Sequence, residues 1–244
     1  MKNSFVAFFD ILGFKTLVEK NNHDNLMQIY SAALYETIDL TEEYYDMVYP
    51  VLTPDSEKNA LNIKTFVISD SIILVQEEFT KRGFLYMLAK CQILLSSSLS
   101  EGIPLRGALS FGPISIIENK RGTTIVGQGL TKAYMLESSQ QWSGGIVDKE
   151  CFENIPNTKG DDFIKVLLND KVNPLIVKYN IPLKDNKFKS GYGFNWPKYN
   201  LIKSDTDIIE AFSKHKKEIS SEKEQLMLDN TIKYYLHVKK LLNL

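Results

Sequence analysis

The five residues FVAFF at positions 5–9 are apolar without alternation. Successive side chains of a strand point to opposite faces, so a strand with this sequence needs cover on both sides. It belongs in the middle of a sheet, and the rest of the chain must supply neighbouring strands and covering helices. Residues 4–11 are read as that strand. Residues 15–46 are read as a helix, with Leu17, Val18, Leu26, Ile29, Tyr30, Ala33 and Leu34 forming a stripe of roughly helical period. PVLTPDSEKNA, residues 50–60, is a loop. LNIKTFVI and SIILVQ are strands joined at Ser69-Asp70 in a tight hairpin. A second helix is expected over residues 80–100, ending near Gly102-Ile103-Pro104. LRGALSFGPISII is a strand with a bend at Gly112-Pro113, NKRG a turn and TTIVG a short strand. After Gly127 the pattern is helical. GGIVDKECFENI suggests a short strand and a short helix, and NPLIVKYNIPLK and YGFNWP two late strands. From Asp205 onward the sequence is helical and polar.

The order βαββαββαβ(α)ββ contains hairpins, which predicts an α+β domain with a mostly antiparallel sheet. Residues 1–203 form that domain. Residues 204–244 form a helical extension packed on the domain or on a dimer partner. With 43% hydrophobic and 24% charged residues, the chain buries a core without disulfide or metal staples. A net charge of −1 gives no electrostatic case for nucleic acid. No apolar run approaches the roughly 20 residues of a membrane span, and no signal peptide precedes the first strand, so a soluble cytoplasmic protein is expected. Cys91 and Cys151 read as buried thiols, and His23, His215 and His237 as surface residues.

The apolar strand breaks off at one acid, Asp10, followed by Ile11, Leu12, Gly13 and Phe14. A second acid, Asp70, sits at the hairpin tip. Either acid alone is an ordinary turn former. If the two strands are neighbours, both carboxylates reach one sheet edge, where their repulsion calls for a cation. Hard oxygen ligands point to Mg²⁺ or Mn²⁺. Leu12, Gly13 and Phe14 open the next helix, whose free amides suit phosphate. Other phosphate and hydrolase patterns are missing. There is no G-x-x-x-x-G-K-[ST], GQGLTK has only the first two glycines of a dinucleotide fingerprint, and position 12 is Leu rather than a second acid.

FFDILGF, ISDSIILV, LRGALSFGPI and IVGQGLTKAYMLE occur in the order of the class III nucleotidyl cyclase homology domain, and their spelling resembles the bacterial pyrimidine cyclases of Pycsar anti-phage systems. The resemblance covers roughly residues 4–200. It implies a homodimer with active sites at the subunit interface, two divalent metal ions (Mn or Mg) and a nucleoside triphosphate. It implies that Asp10, Asp70 and the Ile11 carbonyl hold metal, and that Arg106 contacts the β/γ-phosphates, with Lys184 a further phosphate candidate. The plain alternative for Arg106 is a strand-edge ion pair.

The departures are informative. Purine cyclases carry a base-reading lysine where this chain has Phe66, and a base-reading acid where it has Thr124. Phe66 fills space and offers a stacking face, and Thr124 can bond a smaller base, so a pyrimidine, UTP or CTP, is implied. The ribose Asn is replaced by Thr131 and the transition-state Arg by Met135. Lys132, Arg121 or Lys184 would have to supply the missing charge. The expected activity is a uridylate cyclase making 3′,5′-cyclic UMP that activates a separate effector during phage infection. The alternatives are a cytidylate cyclase, a non-catalytic cyclase-like nucleotide-binding or dimerisation module, and an unrelated α+β protein.

Overall fold

A computed structural model describes residues 2–39, 63–156, 158–169 and 174–243. The chain is α+β. The strands are β1 (Lys2–Ile11), β2 (Ile63–Ile68), β3 (Ser71–Gln76), β4 (Leu105–Asn119), β5 (Gly122–Val126), β6 (Gly144–Val147), β7 (Ile176–Pro182) and β8 (Phe188–Phe194). They form one sheet in the order β2-β3-β1-β4-β6-β8-β7, with β5 paired to β4 off that path. The pairs are antiparallel except β4 with β6. That parallel pair was not expected. It arises because the helix after β5 carries the chain back across the sheet face before β6 begins.

The apolar run explains where β1 sits. Phe5, Ala7 and Phe9 point into the larger core beneath helix α3 (Lys81–Ser100), and Val6 points to a smaller cluster with Ile73, Val75 and Ile114. The second face is covered by α4 (Gln128–Ser138), which packs so closely that Gly129 faces Gly112 and Val6. Asp10 lies two residues beyond Phe8 and four beyond Val6, so it stands on this same α4 face.

The long first helix is interrupted. It comprises α1 (Phe14–Lys20) and α2 (His23–Tyr30), the latter followed by a π-helical turn, Ser31–Tyr35. Asn21 and Asn22 cause the break: Asn21 Nδ2 donates to the Leu17 and His215 carbonyls, and the Asn22 side chain accepts from the Asn25 amide. Residues 40–62, with Tyr44, Tyr45 and Tyr49 and the loop at 50–60, lie outside the described residues. After the short helix α5 (Glu150–Glu153), an unexpected helix α6 (Gly160–Asn169) buries Phe163, Ile164 and Leu167. The chain after β8 makes a 3-10 turn at Trp196–Tyr199 where a strand was read, because Pro197 cannot donate to a ladder.

The tail is two helices, α7 (Asp205–Ser213) and α8 (Glu222–Leu242), each begun by a serine capping box. Ile208, Phe212, Met227, Tyr234 and Val238 enter the main core, and the Tyr234 hydroxyl donates to the Phe194 carbonyl at 2.8 Å. Between the helices, His215 is not a plain surface residue: its Nε2 lies 2.7 Å from the Glu101 carbonyl. Cys91 and Cys151 are buried free thiols, pushed up in pKa by that burial. Among the described residues no helix is long and apolar enough to cross a membrane.

Lys217, in the same connection, is 6% exposed, and its ammonium donates to the Gly102 and Ala211 carbonyls. Burial, aided by the charge of Lys214, lowers its pKa to about 7. A folded-state value below the unfolded one means that the unfolded chain binds more protons, so stability rises as pH increases from about 7 toward the ordinary lysine range. Lys217→Met is expected to flatten that part of the profile, which urea titrations across the range would measure.

Candidate active site

Asp10 lies at the C-terminal end of β1, opposite Ser71 on one side and Arg106 on the other. Asp70 occupies the two-residue turn between β2 and β3, whose first residue, Ser69, has φ +57°. Hairpins of this length favour positive φ at such a position. The two acid-bearing segments are bonded directly: the Ile11 amide donates to the Asp70 carbonyl at 2.9 Å. The chain then turns at Gly13, whose φ of +74° suits glycine, and α1 begins.

The neighbourhood is built of opposed charges. Arg106 is 8% exposed. Its Nη2 is 3.4 Å from Asp10 Oδ2, its Nε donates to Glu137 Oε1 at 2.5 Å and its Nη1 to the Gln140 carbonyl at 3.3 Å. Gln140 is itself fixed, donating to the Gly107 carbonyl and accepting from the Trp142 indole. Burial raises the Asp10 carboxyl in pKa. Asp70 adds to the rise, and Arg106 and Lys184 oppose it. Burial likewise raises Glu137, against the pull of Arg106. Lys184 thus acts electrostatically on both carboxylates. Its backbone is anchored by its amide donating to the Ser139 carbonyl at 2.9 Å.

The structure therefore brings Asp10, Ile11, Asp70, Arg106 and Lys184 to one end of the sheet. It also corrects the phosphate loop. The Ile11 amide is spent on Asp70, and the Leu12 amide donates to the Pro104 carbonyl at 2.9 Å. The ladder pairing runs on past the carboxylate, so of the expected amides only those of Gly13 and Phe14 lie beyond these bonds. Glu137 was missed as a member of the site. It follows Leu136 in the quoted helix, but its partner Arg106 is 31 residues away and nothing local announces the pair.

Phe66 is half-buried on the Asp10 face, in one row with Ile73 and Phe8. Thr124 lies in β5, which pairs with the far end of β4, and is exposed. Thr131 and Met135 are one turn apart on the outer surface of α4, Met135 being 63% exposed. Within one chain neither is turned toward Asp10 as Glu137 is.

Among the described residues no group of three or more His, Cys, Asp or Glu could hold a metal. The protein offers two carboxylates and a carbonyl, all hard oxygens. The charge of Asp70 raises the Asp10 carboxyl in pKa, and a divalent cation between them relieves that repulsion, so this donor set fits Mg²⁺ or Mn²⁺, with further oxygens coming from ligand or water.

Among the solved structures that this chain is similar to are nucleotide cyclases. They include the catalytic core of a rhodopsin-guanylyl cyclase with converted specificity in complex with ATPαS (TM-score 0.49, 14% identity, 80% of this chain and 96% of that one). They also include the adenylyl cyclase CyaB from P. aeruginosa (0.48, 16%, 79% and 93%) and adenylate cyclases from Trypanosoma brucei in their monomeric state (0.48, 12%, 80% and 88%). No family model and no curated protein matches the sequence. At these values the likeness decides nothing about chemistry, which is argued from the residues.

Proposed function

We propose that the chain is a metal-dependent nucleotidyl cyclase that converts UTP to 3′,5′-cyclic UMP and pyrophosphate, with CTP the alternative substrate. The observation that carries this reading is the bonded pair of turns that sets Asp10 and Asp70 together beside Arg106 and Lys184. Asp10, Asp70 and the Ile11 carbonyl are the groups that would hold two Mn or Mg ions. Such ions, when bound, acidify the 3′-hydroxyl and neutralise the triphosphate. Arg106, with nitrogens engaged by Glu137, Gln140 and Asp10, keeps the Asp10 carboxylate in place, while the exposed Lys184 meets phosphate. In the reaction, O3′ forms a bond to the α-phosphorus, the bond from that phosphorus to pyrophosphate breaks, and the 3′ proton passes to water. This chemistry needs positioning and charge rather than a protein nucleophile.

Phe66 supports the pyrimidine assignment. Its ring offers a stacking face and no hydrogen-bonding group. Thr124 and Thr131 would reach the base and ribose from a second copy of the chain, which makes the active site a property of a homodimer. The exposure of Tyr134 (54%), Met135 (63%) and, on the Asp10 face, Ile68 (62%) supports burial of this surface against another subunit. The cyclic nucleotide would be read by a separate effector, in the anti-phage setting that the resemblance implies. A second reading, a non-catalytic nucleotide-binding module, is favoured by Met135, which cannot stabilise phosphoryl charge.

The test is competition. The protein is given Mn²⁺ and equal amounts of ATP, GTP, CTP and UTP, and cyclic products are weighed by mass spectrometry. Cyclic UMP or cyclic CMP is the expected main product. Cyclic AMP or cyclic GMP as the main product would overturn the role given to Phe66 and Thr124.

A further inference from the structure

We propose that Tyr30 is a positioning residue that braces the two aspartate-bearing turns against each other. This rests on the reading of Asp10 and Asp70 as a metal pair. Tyr30 is the last residue of α2, and its hydroxyl donates to the Ser69 carbonyl at 2.9 Å, 39 residues along the chain. Ser69 is the residue held at φ +57°, a conformation uncommon for a residue with a β-carbon, and Asp70 is its neighbour. The same side chain also meets Phe14, the first residue of α1, whose ring lies edge-on to it at 6.5 Å. Phe14 closes the turn that begins at Asp10. One tyrosine therefore touches both segments, adding to the Ile11–Asp70 backbone bond that already joins them.

Two further observations agree. Burial first, and then the charge of Asp70, raise the Tyr30 hydroxyl in pKa to about 12, which puts the phenol within electrostatic reach of that carboxylate. The helix leaves Tyr30 through the π-helical turn Ser31–Tyr35, an uncommon local geometry that frequently accompanies functional sites. No sequence motif marks Tyr30, and in the helical stripe it reads as one more apolar-face residue.

A tyrosine that only fills space is replaced without loss by phenylalanine, whereas a brace acting through its hydroxyl is not. The experiment compares Tyr30→Phe with the wild-type full chain by calorimetric Mn²⁺ titration, by amide hydrogen exchange and by thermal melting. Mn²⁺ is expected to bind about tenfold more weakly, as when a ligand's supporting hydrogen bond is lost. Exchange is expected to quicken at residues 69–71 and Ile11 but not in α3, with the melting temperature nearly unchanged. Wild-type Mn²⁺ affinity together with wild-type exchange at those amides would overturn the proposal. An Asp70→Asn control separates the two ideas. If it leaves Mn²⁺ binding intact, the metal reading fails and the exchange at residues 69–71 and Ile11 alone decides the brace.

Discussion

Asp70→Asn is expected to lower turnover by on the order of a thousand-fold or more, several kcal/mol of lost transition-state stabilisation. The fold should be unaffected. Asp70 contributes its backbone carbonyl, not its carboxylate, to the bond with Ile11, and asparagine is as compatible with a hairpin turn. The carboxylate is half-exposed at the turn, so its removal should shift stability within the roughly 0.5 kcal/mol usual for surface substitutions. Turnover and thermal melting of the same preparation check this. The corresponding change at Asp10 is less clean, because Asp10 also pairs with Arg106 at 3.4 Å and its loss mixes stability with chemistry.

Arg106→Met should have the opposite signature, a large loss of stability. Arg106 is the cation shared by Glu137 and Asp10, and removing it strands two carboxylates at sites where burial already raises their pKa. Breaking a buried pair from one side costs about 3–5 kcal/mol. For a chain of this length that is a melting temperature lower by roughly 10 °C. The pH dependence has a definite sign. Without its guanidinium partner, Glu137 holds a proton in the folded state more firmly than in the unfolded state, so the folded variant is favoured as pH falls through that raised value. The deficit relative to wild type should be smaller near pH ~5 than near pH ~8. A deficit that is large and pH-independent would mean that Arg106 matters for packing and not for charge.

What could be read in advance was what a short window contains. FVAFF placed a central strand because a two-sided apolar run has few other homes. The hairpin at Ser69-Asp70 and the α4 pattern after Gly127 were legible from turn chemistry and helical period. The break at Asn21-Asn22 was missed because a capping asparagine and a helix-interior asparagine are the same letters, and the difference lies in a partner, His215, supplied from far along the chain. Helix α6 was missed although Phe163, Ile164 and Leu167 carry helical spacing, because a lysine- and asparagine-rich surrounding masked it. In the site, the acids were legible as strand ends. The spending of the Ile11 and Leu12 amides was not, since their acceptors, Asp70 and Pro104, are set by tertiary pairing. The Arg106–Glu137 contact was hidden for the same reason.

The central claim is that the paired acids serve a cyclisation and not a hydrolysis. The most direct measurement follows UTP and Mn²⁺ with the wild-type full chain over time, with Asp70→Asn alongside. The expected result is cyclic UMP and pyrophosphate formed in equal amounts by the wild type and neither by the variant. Formation of UDP and phosphate in their place, or equal cyclic UMP from both proteins, would contradict it.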